Sequence, residues 1–282
     1  MSDRKMKSNV ESRLISTLLV GSVIAAICFF YIPIFTLILF SFKEGRFLNM
    51  PFEGWTLSWY SELFNHPRVK EASVNSFLLA TASMVLSTAI GFGAAQAWVR
   101  NKFRGQSAFV ALVMAPLIFP QLLLGVVLLL WFSVLGNWLG FSNSLLTAMF
   151  GHCVYLVPFT TIIISVQARG FDVTLEQAAQ DLGATQWSVF KEVTFPLMWP
   201  GIFSAATFAF LLSWGNFYIT YSLAGSAKSL PTFVFGGIAL GSSPLYPALA
   251  TVTFALGLCI ILHAEWMRRR AQAKTQSVFR TV

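Results

Sequence analysis

The side chains of this sequence that could bind a molecule or support a reaction lie in two places. One is a polar segment, residues 169–201, which separates two strongly apolar stretches. The other is a set of polar and aromatic residues within apolar stretches, namely Gln121, Ser213, Trp214, Asn216 and Tyr218. Amides, hydroxyls and aromatic rings hold solutes by hydrogen bonding and cation–π contact. Both places therefore indicate recognition of a partner or solute rather than covalent chemistry.

Motifs for catalysis are absent from the sequence. It has no G-x-x-x-x-G-K-[ST] loop to hold nucleotide phosphates, no H-E-x-x-H and no G-x-S-x-G. His152 and His263 stand apart from any nucleophile or second ligand, and each is interpreted as a buried or interfacial histidine. Cys28, Cys153 and Cys259 follow no metal-binding or disulfide spacing. We expect no enzyme and no cofactor or metal in this chain; a membrane-integral lipid-modifying enzyme stays an alternative.

Composition places the chain in a membrane. Of its 282 residues, 56% are apolar and only 11% are charged, whereas about 25% are charged in a soluble domain. Each of six apolar stretches is long enough to cross a bilayer, which takes about 20 residues. They are residues 14–40, 74–97, 108–132, 145–168, 202–224 and 246–267. Since lipid cannot satisfy backbone hydrogen bonds, we predict an all-α integral membrane protein with six transmembrane helices in one domain, residues 1–282.

The six stretches carry no Asp, Glu, Lys or Arg at membrane depth, because Glu265 lies at the end of the last one beside Arg268–Arg270. Carriers driven by protons or ions usually need such groups, so a self-contained secondary carrier is kept as an alternative only. Pro116 and Pro120 must kink or break the third stretch. Gln121 follows that break and is predicted either to line a solute pathway or to bond to a neighbouring helix.

The distribution of Lys and Arg sets the orientation of the chain. With the N-terminus inside, 14 of the 19 basic residues lie on the cytoplasmic side, as the positive-inside rule requires. Both termini and the segment 169–201 are therefore predicted to be cytoplasmic. The formal net charge of +8 follows from this topology, so no nucleic-acid partner is expected.

The segment 169–201 is predicted to fold into two short helices. Thr174 with Gln177 is the pattern of a capping box, which places the start of the first helix at about residue 175. Gly183 suits the left-handed residue that ends a helix. Between them, Ala178 and Ala179 are small enough to let a partner approach closely. Thr185 is expected to cap a second helix over residues 186–193, which Pro196 stops.

The same segment resembles the cytoplasmic "EAA" loop of ABC importer permeases. The likeness rests on Gln177-Ala178-Ala179, on Gly183, and on Val193-Thr194-Phe195-Pro196, with matching spacing. The family pattern has Glu, Ile and Leu where this chain has Gln177, Val193 and Phe195. Because Gln177 replaces a charged contact to the ATPase, Glu176 or Asp181 is expected to supply the charge.

The resemblance covers nearly the whole chain and is closest to the second permease of polyamine, opine and related importers. It rests further on Tyr31-Ile32-Pro33, Ser41-Phe42, Asn75-Ser76, Ala115-Pro116-Leu117 and Ala248-Leu249-Ala250-Thr251. It implies a type I permease with six spans in the bacterial inner membrane, whose segment 169–201 holds coupling helices. It implies as partners a second permease, an ABC ATPase dimer that binds ATP and Mg²⁺, and a periplasmic substrate-binding protein, with lipid around the spans.

The likeness bears on the solute as well. Polyamine permeases of this kind carry acids at places that correspond here to Gln121, to Gly215 with Asn216, and to the residues after Pro244. Fewer carboxylates weaken the case for a multiply charged cation, which needs compensating charge where the dielectric constant is low. Trp214, Asn216 and Tyr218 suit an amine-containing solute with one charge, a zwitterion or a neutral compound.

Overall fold

The computed structural model describes residues 2–45, 52, 54–241 and 243–280, and within this part of the chain it is helical without a β-strand. Its side chains are described for residues 15–45, 52, 54–239, 241 and 243–270. The helices are α1 Ser2–Phe40, α2 Ser58–Asn65, α3 Pro67–Arg100, α4 Gln106–Met114, α5 Gln121–Leu139, α6 Leu145–Arg169, α7 Thr174–Asp181, α8 Gln186–Val189, α9 Phe195–Trp214, α10 Tyr218–Leu223, α11 Leu230–Leu240 and α12 Leu245–Arg280.

Six helical segments are long and apolar enough to cross a membrane, as predicted. They are Ile15–Phe40, Pro67–Arg100, Gln121–Leu139, Leu145–Arg169, Gln186–Trp214 and Leu245–Arg270. The first and fourth agree with the predicted stretches to within one residue. The second and fifth begin earlier, because helical residues continue beyond the apolar stretch into more polar sequence.

The third stretch, predicted over residues 108–132 with a kink or break at its prolines, is broken, and its spanning helix begins later than predicted. The chain instead forms α4, a 3₁₀ turn over Ala115–Ile118, and then α5 from Gln121. The two prolines explain the break, since neither has an N–H to donate, and Phe119, the residue before Pro120, is extended with ψ 131°. The predicted effect of Pro116 and Pro120 is thus confirmed, and it moves the spanning helix to residues 121–139.

The fifth stretch, predicted over residues 202–224, is also interrupted. α9 ends at Trp214, and α10 begins at Tyr218 after an irregular turn. At this turn the Asn216 side-chain oxygen accepts a hydrogen bond from the Ile219 backbone N–H at 3.1 Å. A side-chain oxygen that satisfies a free backbone donor favours the start of a new helix. The polar cluster therefore marks a break in the helix.

The chain divides into two compact units. The first contains Met1–Asn65 and Gly237–Phe254; in it α2 is tied to the end of α1, because the Trp59 indole N–H donates to the Lys43 carbonyl at 2.8 Å. The second contains His66–Gly236 and Ala255–Val282. In this second unit α3, α6 and α9 pack together around a buried cluster of mostly small side chains, which allow close helix contact in a membrane. The cluster comprises Ala95, Ile164, Ala168, Met198 and Ala205.

Candidate functional site

The first short helix of the segment 169–201 begins differently from the prediction. The capping box at Thr174 and Gln177 is wrong, because Thr174 is itself the first residue of α7. Its backbone N–H and its hydroxyl both donate to Asp172 Oδ1, at 2.9 and 2.8 Å. These hydrogen bonds hold the pKa of the Asp172 carboxyl below its ordinary value. Asp172 therefore supplies a negative charge next to the start of α7, where the helix dipole favours it.

The turn after α7 is as predicted. Gly183 has φ +87°, and its N–H donates to the Gln180 carbonyl at 2.9 Å. The next N–H, of Ala184, donates to the Ala179 carbonyl at 3.0 Å. A Cβ added at Gly183 would meet nothing within 4 Å, so the need for glycine comes from the backbone conformation rather than from crowding within the chain.

The second short helix confirms its predicted cap but not its predicted end. Thr185 Oγ1 accepts a hydrogen bond from the Ser188 N–H at 3.2 Å. However, α8 ends at Val189 and passes through a π-helical turn, Phe190–Thr194, directly into α9. Pro196 does not stop the helix because it lies in the first turn of α9. The wide π turn just before it accommodates a residue that cannot donate a backbone hydrogen bond.

The predicted coupling residues differ in how they face the solvent. Gln177, Ala178 and Asp181 are exposed, as are Gly183 and Pro196, and Ala179 is half-buried. Two large apolar residues that the sequence reasoning passed over are also exposed: Leu182 at 90% and Trp187 at 70%. Their apolar character within a polar segment was the signal available in the sequence. Exposed apolar side chains rimmed by polar ones are typical of a protein interaction surface.

Glu176, in contrast, is bonded within the chain. Its two carboxylate oxygens accept hydrogen bonds from Arg100 Nη1 at 2.7 and 3.0 Å, and Oε1 also accepts one from the Thr194 hydroxyl. Its side chain is only 15% exposed. Of the two acids expected to replace the charge lost at Gln177, Asp181 is therefore the exposed one. Arg100 was not identified from the sequence as a partner.

Two members of the polar cluster are held in a buried network. Ser213 Oγ lies 2.7 Å from His152 Nδ1, and Thr220 Oγ1 lies 2.9 Å from His152 Nε2. Thr220 donates its own hydroxyl proton to the Asn216 carbonyl at 2.9 Å, so it must accept from His152 Nε2–H. This places a proton on Nε2, while Nδ1 contacts the Ser213 hydroxyl. His152 is 1% exposed, which confirms its interpretation as a buried, satisfied histidine.

The remaining pathway candidates lie around the same helix break. Trp214 is half-buried and stacks on Phe210, with ring centroids 5.7 Å apart. Tyr218 is 44% exposed. Gln121 is half-buried at the start of α5, and α5 packs against α10. The structure thus places Ser213 and Asn216 inside the protein and leaves Tyr218 the most accessible of the five.

Comparison with known proteins defines the class to which this architecture belongs. Residues 87–274 match the family described as binding-protein-dependent transport system inner membrane component. Since this match covers more than half of the chain, the chain belongs to that family. It is therefore a transport subunit of an ABC importer and not an enzyme.

Individual relatives support the same assignment over nearly full length. The chain is 31% identical over 258 residues to the spermidine/putrescine transport system permease protein PotC of Escherichia coli K12, covering 91% of this chain and 96% of the relative. It is 31% identical over 257 residues to the putrescine transport system permease protein PotI of the same strain, covering 89% and 91%.

The solved structures share the fold. The crystal structure of a bacterial ABC transporter that imports the acidic polysaccharide alginate has a chain similar to this one, with a TM-score of 0.72 at 17% identity, covering 95% of this chain and 99% of that chain. The predicted all-α fold of a type I importer permease is thereby confirmed.

Proposed function

We propose that this subunit works with a second permease, a pair of ABC ATPases and a periplasmic binding protein to import a small amine-containing solute. ATP and Mg²⁺ bind to the ATPase subunits, and their closure drives the spans between outward-open and inward-open arrangements. The observation that carries the proposal is the exposed elbow formed by α7, Gly183 and α8, directly joined to a spanning helix. Such an elbow can pass movement from a separate ATPase into the membrane.

The ATPase would dock on the exposed side of this elbow. We assign the contact to five residues with exposed side chains, namely Gln177, Ala178, Asp181, Leu182 and Trp187. Leu182 and Trp187 supply apolar area, and Asp181 supplies the charge that Gln177 lacks. Aromatic anchors of this kind dominate binding at many interfaces. Ala179, Gly183 and Pro196 act by shaping the elbow.

The elbow must face the cytoplasm for this mechanism to operate. The basic residues favour that orientation with both termini inside. A fluorescent protein fused to the C-terminus should fold and fluoresce, whereas alkaline phosphatase at the same place should stay inactive because it matures only in the periplasm. Active phosphatase would contradict the orientation and, with it, the docking of an ATPase on α7 and α8.

For the solute, we propose an amine that carries one positive charge or a zwitterion such as an opine. The relatives are named for spermidine and putrescine, which supports an amine. Gln121 offers an amide rather than a carboxylate, and the aromatic face of the exposed Tyr218 suits a single cation. A binding protein purified with its natural ligand would identify the solute by mass spectrometry.

Purification from the native membrane tests the proposed function. A tagged chain should bring with it an ATPase subunit and a second permease, and the reconstituted complex should take up solute only with ATP and the binding protein. A self-contained carrier or a lipid-modifying enzyme would be isolated without an ATPase. Solute movement by the purified chain alone would overturn the proposal.

A further inference from the structure

Three elements of the second unit meet at one carboxylate. Glu176 lies in the first turn of α7, Arg100 is the last residue of α3, and Thr194 is the last residue of the π-helical turn. Arg100 Nη1 bonds to both carboxylate oxygens at 2.7 and 3.0 Å, and the Thr194 hydroxyl donates to one of them. The Arg100 guanidinium also lies over the Phe171 ring, 4.5 Å from its centroid.

We propose that Glu176 and Arg100 are positioning residues that transmit movement of α7 to the second and fifth spans. The inference rests on the proposed function, since it assumes that an ATPase moves α7. It goes beyond the proposed docking surface because both side chains are mostly buried within the chain. Their role is internal: they convert a displacement of the short helix into a displacement of two long ones.

Partial burial strengthens the ion pair between Arg100 and Glu176. The Arg100 and Glu176 side chains are 20% and 15% exposed, so solvent and salt screen them less than a surface pair. Arg100 Nε and Nη2 are shielded from solvent and have no hydrogen-bond partner. Among the described residues, Glu176 is thus the sole hydrogen-bond acceptor for this guanidinium.

The packing of α7 shows why such a connection is needed. α7 packs mainly against α8 and the π-helical turn, and most of its own side chains are exposed. Helices without an extensive apolar contact can move independently of their neighbours. The bond from Glu176 to Arg100 ties α7 to the end of α3 across 76 positions of sequence, and Thr194 ties the same carboxylate to the start of α9.

The proposal is tested by a double-mutant cycle in the complete reconstituted importer. The variants are Glu176→Gln, Arg100→Gln and the double variant, with Glu265→Gln as a matched control. Glu265 also pairs with arginines, but only within one helix, at Arg268 and Arg269. Three quantities are measured: the ATPase subunits that co-purify, ATP hydrolysis stimulated by the loaded binding protein, and solute imported per ATP hydrolysed.

Each single variant should lower the solute imported per ATP by about tenfold, within the range of typical coupling free energies. Arg100 is left with an unpaired, shielded charge in Glu176→Gln, so assembly should also fall. The double variant removes both charges. It should recover assembly but not the import per ATP, because the link is still missing. The control should behave as the wild type.

Two results would overturn the inference. One is a normal import per ATP in Glu176→Gln. The other is recovery of import per ATP in the double variant, which would mean that the pair serves assembly only. If the wild-type complex hydrolyses ATP without importing solute, the proposed function itself fails, and this inference fails with it.

Discussion

Gly183 holds the turn between α7 and α8 in a conformation that other L-residues adopt at a cost of about 1–2 kcal/mol. Because a Cβ there would meet nothing within the chain, backbone strain and contact with the ATPase are the two ways in which a substitution can act. Gly183→Val should therefore lower transport and ATPase stimulation several-fold without lowering the amount of the chain in the membrane. Quantitative immunoblotting and uptake assays measure the two effects.

A second substitution at this position separates the two causes. Asn adopts the left-handed conformation more readily than other non-glycine residues, so Gly183→Asn should keep more transport than Gly183→Val. Equal loss in both variants would place the cause in contact with the ATPase. Unchanged transport in Gly183→Val would contradict the role of the elbow altogether.

His152 joins the two sides of the break in the fifth span, since its ring bonds to Ser213 before the break and to Thr220 after it. His152→Leu removes both bonds, and each lost bond to a buried group costs about 1–3 kcal/mol. We expect a lower midpoint of thermal unfolding in detergent. His152→Gln, which keeps a donor and an acceptor, should lose less. Equal midpoints for the wild type and His152→Leu would contradict this account of the network.

At the scale of the helix, the start of α10 depends on Asn216. Its side-chain oxygen accepts from the Ile219 N–H, and removing such a cap costs about 1 kcal/mol. Asn216→Ala should therefore lower the midpoint of thermal unfolding. Asn216→Ser should lower it much less, because a hydroxyl caps a helix comparably well. If both variants unfold like the wild type, the side chain does not support the break.

Local chemistry explains which elements could be predicted from the sequence. Six spans follow from apolar length, and the turn at Gly183 and the cap at Thr185 follow from residues whose preferences act over a few positions. The end of α8 could not be derived in this way. A proline predicts a stop unless the preceding turn widens. Here Phe190, the first residue of the widened turn, contacts Phe92 in α3, a residue that is distant in the sequence.

In the candidate site as well, some features follow from the local sequence and others from packing between distant segments. The polar sequence of α7 and α8 predicts that both helices are exposed to solvent. The bond between Arg100 and Glu176 could not, since it depends on how α3 and α6 bring two distant segments together. Likewise, the pattern Ser213–Tyr218 indicated a polar site, but only the packed structure shows that Ser213 and Asn216 bond inward.

At the scale of the whole molecule, the chain has a segment suited to coupling, formed by α7, Gly183 and α8, but no ATPase of its own. Its sequence has no nucleotide-binding loop, and its apolar stretches contain no Asp, Glu, Lys or Arg apart from Glu265 at the end of the last one. The elbow formed by α7, Gly183 and α8 is the part of the chain on which a separate ATPase could act, and the broken helices are the parts that could change shape. We therefore propose that the energy for transport enters through α7 and α8.

The residues of the apolar stretches also bear on the charge of the proposed solute. With an amide at Gln121, and with Glu265 at the end of the last apolar stretch as the single carboxylate of those stretches, a spermidine molecule would pass with little compensation for its several charges. The reconstituted importer should take up a singly charged amine or a zwitterion in preference to spermidine. Strong, selective uptake of radiolabelled spermidine would overturn this expectation.

Gln121→Glu tests whether the spans contribute to that selectivity. The new carboxylate has nearly the same shape and lies at the start of α5, where the helix dipole favours a negative charge, so folding should be preserved. With the same binding protein, the ratio of putrescine to zwitterion uptake should rise at least about fivefold, the effect of a modest coupling free energy. Gln121→Asn is the neutral control and should leave the ratio unchanged. An unchanged ratio in Gln121→Glu would remove Gln121 from the pathway and leave selectivity to the binding protein.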